Sequence, residues 1–116
     1  MANFMLFLHQ SVTNRPNLSR DEAMRMTNEY VAWANKMRQE GRFVGGDKLT
    51  DDPGKVLRTR GGKSVVTDGP YAETKEIVGG YFCIKATDFA EAVDLAQSCP
   101  HLKFGGEIEV RQVHEM

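Results

Sequence analysis

The chain has 116 residues, 41% of them apolar and 27% charged, with a formal net charge of -1. That length suits one domain over residues 1–116, and the composition excludes a disordered or fibrous chain. The near-neutral charge gives no general attraction to nucleic acid or anionic lipid, and no run of 18 or more apolar residues is present to cross a membrane.

The opening "MANFMLFLHQ" lacks a basic n-region, so Phe4–His9 is read as a buried first strand and not as a targeting segment. In "LSRDEAMRMTNEYVAWANKMRQEG", Ser19 and Glu22 have capping-box spacing and Gly41 is the stop, which predicts a long helix. Met26, Tyr30, Trp33 and Met37 recur at helical spacing and form its apolar stripe, with Tyr30 as either core or pocket wall. "RFVGGDKL" is a second strand in which Gly45 and Gly46 signal a bulge or a close approach. "KVLRTRGGKSVVTD" is a hairpin turning at Gly61-Gly62, which sets Leu57 opposite Val66 and Arg60 opposite Lys63: an apolar base and a basic, solvated tip.

"TDGPYAETKEIVGG" concentrates turn and charge signals. Asp68, Gly69 and Pro70 form a turn in which the Asp side chain caps local backbone N–H groups. If the next residues are extended, Tyr71, Glu73 and Lys75 share one face, with Glu73 and Lys75 roughly 6 to 7 Å apart. Two readings are open: an acid and a base in a sheltered cavity, or a surface ion pair that fixes the loop. Gly79 and Gly80 either clear room for a ligand or allow a bulge. "YFCIK" is a further strand, and "DFAEAVDLAQSCP" a second helix capped by Asp88 and Glu91, with Phe89, Ala92, Val93 and Ala96 as its buried stripe. "GEIEVRQVHEM" closes the chain with Ile108 and Val110 on one face and Glu107, Glu109 and Arg111 on the other.

The order β-α-β, hairpin, β-α-β predicts a ferredoxin-like α+β sandwich, an antiparallel sheet with both helices on one face. The first strand is apolar on both faces, with Met5 and Phe7 opposing Phe4, Leu6 and Leu8. Two helices cover one face only, so the other calls for a partner sheet in a homodimeric α+β barrel.

The segments "GGDKL", "VTDGPYAETKE", "GGYFCI", "CP" and "GEIEVRQV", in this order and spacing, resemble the DGPF branch of the YCII-related proteins over nearly the whole chain, with Tyr71 where the branch's name puts a phenylalanine. The resemblance implies a dimeric ferredoxin-like α+β barrel and carries no established activity. It is also a resemblance to domains found near or fused to extracytoplasmic-function sigma factors. In YCII proteins proper it implies a histidine-aspartate pair with the histidine on the first helix. That helix has no histidine here, Tyr30 takes the matching place, and the pair is not carried over.

The chemistry-bearing candidates are therefore Asp68, Glu73, Lys75 and His9, the last as a strand-end general base. The histidines and the two cysteines, Cys83 and Cys99, have neither metal-ligand nor CxxC spacing, and Cys83 reads as core. Without a disulfide pattern or a signal segment, the expectation is a reduced, cytoplasmic protein. No dinucleotide, P-loop or serine-hydrolase motif occurs, so no cofactor is called. The sequence supports a small cofactor-independent enzyme (lyase, isomerase or hydrolase) on a small organic substrate, or a non-catalytic module that binds a ligand or a regulatory protein.

Overall fold

The computed structural model describes residues 1–12, 17–70 and 75–116. Its elements run β1 (Ala2–Ser11), α1 (Arg20–Gln39), β2 (Phe43–Lys48), β3 (Lys55–Arg60), β4 (Lys63–Asp68), β5 (Glu76–Ala86), α2 (Phe89–Gln97) and β6 (Glu107–Gln112). Four strands form one antiparallel sheet in the order β2-β5-β1-β6, and β3 with β4 forms a separate two-stranded sheet. With the hairpin set aside, this is the β-α-β-β-α-β ferredoxin-like arrangement expected from the sequence.

Local chemistry delimits the helices. At α1 the Ser19 Oγ accepts from the Glu22 N–H while the Glu22 carboxylate accepts from the Ser19 N–H, a complete capping box. The helix ends where Gly41 takes φ +72°, a left-handed conformation that favours glycine. At α2 the Asp88 carboxylate caps the Glu91 N–H; the Glu91 carboxylate accepts from the Thr87 N–H and from Arg42, joining the start of α2 to the start of β2.

Strand alternation decides which side of the sheet is core. Phe4, Leu6 and Leu8 of β1 point to the helices and are buried with Ile84 and Ala86 of β5, Trp33 and Met37 of α1, and Ala92, Ala96 and Cys99 around α2. The Trp33 ring lies 4.9 Å from the Phe82 ring, and its indole N–H donates to the Ser98 Oγ at 2.9 Å. Of the expected stripe of α1, Trp33 and Met37 are buried and Tyr30 packs against the core, while Met26 is half-buried and Ala34 joins the buried side. The stripe of α2 differs: Phe89 and Val93 are 47% and 42% exposed. Small Ala92 and Ala96 make the contact with the sheet, and Val93, one residue round the helix from Ala92, turns outward. Phe89 still packs edge-on to Phe4 at 5.0 Å.

The odd-numbered residues of β1, namely Met5, Phe7 and His9, occupy the other face, opposite Cys83, Tyr81 and Val78 of β5. The molecule is 18 Å deep in its shortest dimension, one sheet and one helix layer, so among the described residues no element covers that face. The hairpin stands off this slab. The radius of gyration is 16.2 Å, against about 13 Å for a compact chain of this length. Leu57 and Val66, paired in register as the sequence predicts, are 65% and 58% exposed. Arg60 faces Lys63 across a turn in which Gly61 and Gly62 have φ +57° and +78°.

Met37 is fully buried whereas Met24 on the same helix is 56% exposed. Met37→Ala is expected to lower unfolding free energy by about 2–5 kcal/mol and Met24→Ala by less than about 0.5 kcal/mol. Chemical denaturation of the two variants checks the assignment of faces.

Candidate functional site

The glycine pairs shape the sheet. The register of β1 against β5 slips between Leu8 and His9, with Gly79 the extra residue on β5. A Cβ on Gly79 would lie 2.3 Å from the Gln10 side-chain oxygen. A second slip falls between Phe43 and Gly45, where β2 meets β5. Here a Cβ on Gly46 would meet the Phe82 ring at 2.5 Å, and one on Gly80 would meet the Asp47 carbonyl at 2.9 Å. Both pairs therefore mark bulges and close strand contact, one of the two readings the sequence left open.

The first bulge sets His9 at one end of the open face, beside the start of β6. His9 pairs with Glu107 and Phe7 with Glu109, so both glutamates stand on the same face as the imidazole. The His9 Nε2 is 2.9 Å from the Glu109 Oε1. An ionised carboxylate only accepts, so Nε2–H donates and the neutral ring keeps its lone pair on Nδ1. The Arg111 guanidinium stands 3.9 Å from the other Glu109 oxygen. Glu76 stands at the start of β5, paired with Ser11 of β1. Among the described residues, His9, Glu76, Glu107, Ile108 and Glu109 line a cleft of about 240 Å³.

Beneath this cleft, on the helix side, lies a second polar pair. Tyr30 and His101 meet at 2.8 Å, hydroxyl to Nδ1, and the His101 Nε2 is 2.7 Å from the His9 carbonyl oxygen. Burial pushes the Tyr30 phenol up to about 12, with the nearby Cys99 and Glu29 adding to the shift. Burial likewise pushes the His101 imidazole below its ordinary value; its bond to the His9 carbonyl opposes this and the His9 side chain adds to it.

The remaining sequence candidates are dispersed. Asp68 ends β4 and its carboxylate bonds the Lys55 ammonium directly across the hairpin. Its carboxylate thus serves a cross-strand ion pair. Gly69 passes close to the Pro53 carbonyl, where a Cβ would sit at 2.6 Å, and its N–H donates to the Gly54 carbonyl at 2.9 Å; Pro70 follows it. Lys75 is exposed, and its carbonyl accepts from the Val12 N–H at 3.0 Å. Glu73 and Tyr71, and with them the expected pairing of Glu73 with Lys75, lie outside the described residues. Of the candidates among the described residues, only His9 lines the cleft. Glu109 and Glu107 were legible merely as the polar side of an alternating strand, and His101 had no signal beyond following a helix end. Cys83 and Cys99 are free and buried, and burial pushes both thiols up. Among the described residues, no group of His, Cys, Asp and Glu is arranged to hold a metal ion, and no helix is long and apolar enough to cross a membrane.

A family model described as the YCII-related domain matches residues 5–116. The chain is also 30% identical over 95 residues to the uncharacterized protein R00369 of Rhizobium meliloti (strain 1021), covering 80% of this chain and 77% of that one.

Two expectations follow from the geometry. The buried His101 has a depressed folded value, so on acidification the unfolded chain takes up this proton first. Stability is therefore retained above the ordinary histidine value of about 6.5 and lost as pH falls from there toward the lower folded value. The groups acting on the ring are the Tyr30 hydroxyl, the His9 carbonyl and the His9 side chain. Denaturant midpoints between neutral pH and pH 5 should decline in the parent and decline less in His101→Gln. Asp68 and Lys55 are 83% and 65% exposed, so Asp68→Ala should lower stability by no more than about 1 kcal/mol. A larger loss in calorimetry would show that the carboxylate also holds the turn.

Proposed function

The chain belongs to the YCII-related family, and on that premise we propose that it is a small cofactor-independent enzyme performing acid/base chemistry in the cleft around His9. The observation that carries this reading is the 2.9 Å contact between His9 and Glu109 at the edge of a cleft. A carboxylate bonded to one imidazole nitrogen orients the ring and stabilises the imidazolium that forms when the other nitrogen takes a proton. Three carboxylates and a single imidazole line the site, which selects for a small organic substrate with an amine or other cationic group. Proton transfer without a redox partner suits a lyase, isomerase or hydrolase. Lys75, exposed beside Glu76, stands at the approach to the cleft, while Asp68 is engaged with Lys55 in the hairpin.

We further propose a cytoplasmic homodimer of the DGPF branch, as its "TDGPYAETKE" stretch and its bare sheet face support. Met5 and Phe7 are only partly buried on a face with no third layer, the condition that a second sheet relieves.

A second reading, a non-catalytic module that binds a regulatory protein, is favoured by the projecting hairpin, whose exposed Leu57 and Val66 add nothing to the core.

Screening small amines and amino acids by NMR should find compounds that shift the His9 and Glu109 resonances and are converted over time. His9→Ala should slow that conversion by about 10²-fold or more, and Glu109→Gln should slow it as well. Shifts confined to the hairpin, or conversion unaffected by either change, would move the assignment to the binding module. Light scattering should give twice the mass of one chain, and Phe7→Lys should return it to one.

A further inference from the structure

We propose that His101 is a positioning residue for His9: it grips the backbone carbonyl of β1 at the bulge, so that the His9 imidazole stands in the cleft against Glu109. The inference rests on the cleft reading above and adds a residue to it from outside the cleft.

β1 is a central strand, and its carbonyls belong to the ladders with β5 and β6. The slip between Leu8 and His9 interrupts the β5 ladder, and the His9 carbonyl accepts a hydrogen bond from His101 at 2.7 Å. A carbonyl only accepts, so the His101 Nε2 carries the hydrogen and the neutral ring has its lone pair on Nδ1. The Tyr30 hydroxyl donates to that lone pair at 2.8 Å. Tyr30 thereby selects the one neutral tautomer that can hold His9, and α1, the segment after α2, and β1 are joined through a single ring.

The ring has little freedom to do otherwise. His101 is 6% exposed, and it is the one buried polar or charged residue among those described. A Cβ on Gly106 would lie 2.1 Å from the His101 Nε2, so the backbone leading into β6 is pressed against the nitrogen that makes the bond. The Gly106 N–H closes the turn by donating to the His101 carbonyl at 3.0 Å. An apolar core residue here would leave the His9 carbonyl without this donor. The His9 side chain leaves the same residue on the opposite face of the sheet to meet Glu109. Rotating or shifting the peptide at His9 therefore changes the distance between imidazole and carboxylate.

Long-range proton–nitrogen NMR of the full chain reads the His9 tautomer directly, with no ligand or substrate. In His101→Gln the side-chain amide reaches the place of Nε2–H, and His9 should keep its proton on Nε2 as in the parent. In His101→Asn the shorter amide does not reach. In Gly106→Ala the added methyl displaces the ring. Both of these should mix the His9 tautomers. If either folded variant leaves the His9 tautomer as in the parent, the proposal is overturned. Because the readout is the imidazole itself, mixed tautomers in a protein that converts no small amine uphold the positioning role while the enzymatic reading fails.

Discussion

The rest of the molecule depends on the two-sidedness of β1. A strand projects alternate side chains to opposite faces, and in this chain both sets are apolar along most of its length. Phe4, Leu6 and Leu8 close the core beneath both helices, and Met5 and Phe7 are left on a face that no element among the described residues covers. The open face is also where the strand's polarity changes, at His9. One consequence is that the candidate site lies at the end of a bare sheet and not between the helices. Another is that the deepest polar pair in the fold, Tyr30 with His101, lies on the covered side and reaches the site only through a backbone carbonyl.

Bulges make this arrangement compatible with a continuous sheet. At the end of β1 the extra residue on β5 is Gly79, whose missing side chain leaves room for Gln10; between β2 and β5 the slip falls at Val44, beside Gly45. Each bulge bends its strand and interrupts the ladder, and at His9 the loss is made good by a side chain from another layer. Charge is distributed along the same division. The cleft gathers Glu76, Glu107 and Glu109, while the hairpin tip carries Arg60 and Lys63. A near-zero net charge thus conceals an acidic end of the sheet and a basic projection.

Much of this was legible in the order of residues because it is local. The capping box of α1, the Asp88 cap of α2, the Gly41 stop, the Gly61-Gly62 turn and the hairpin register depend on contacts within a few residues, and the alternation in Glu107–Gln112 depends on strand geometry alone. The family was legible for a similar reason, since its motifs are short stretches in fixed order. The stripe of α2 was read less well: periodicity shows which residues share a side of a helix but not how much of that side a small sheet covers, and so Phe89 and Val93 lie partly in solvent.

The site was the part least visible in sequence. Among its residues His9 was singled out, whereas Glu109 and Glu107 looked like ordinary solvent-facing charges and His101 like an isolated histidine. Their meeting joins positions 9, 30, 101 and 109, which are brought together by the pairing of β1 with β6 and by the packing of α1 against the segment after α2. By itself the sequence determined the elements, their order, the ferredoxin-like class and the existence of a two-faced first strand, because these arise from short-range backbone preferences and side-chain periodicity. Only the tertiary structure decided which imidazole meets which carboxylate and which carbonyl holds it, because hydrogen bonds between residues about a hundred positions apart are selected by register, bulge and burial, none of which is encoded in local spacing.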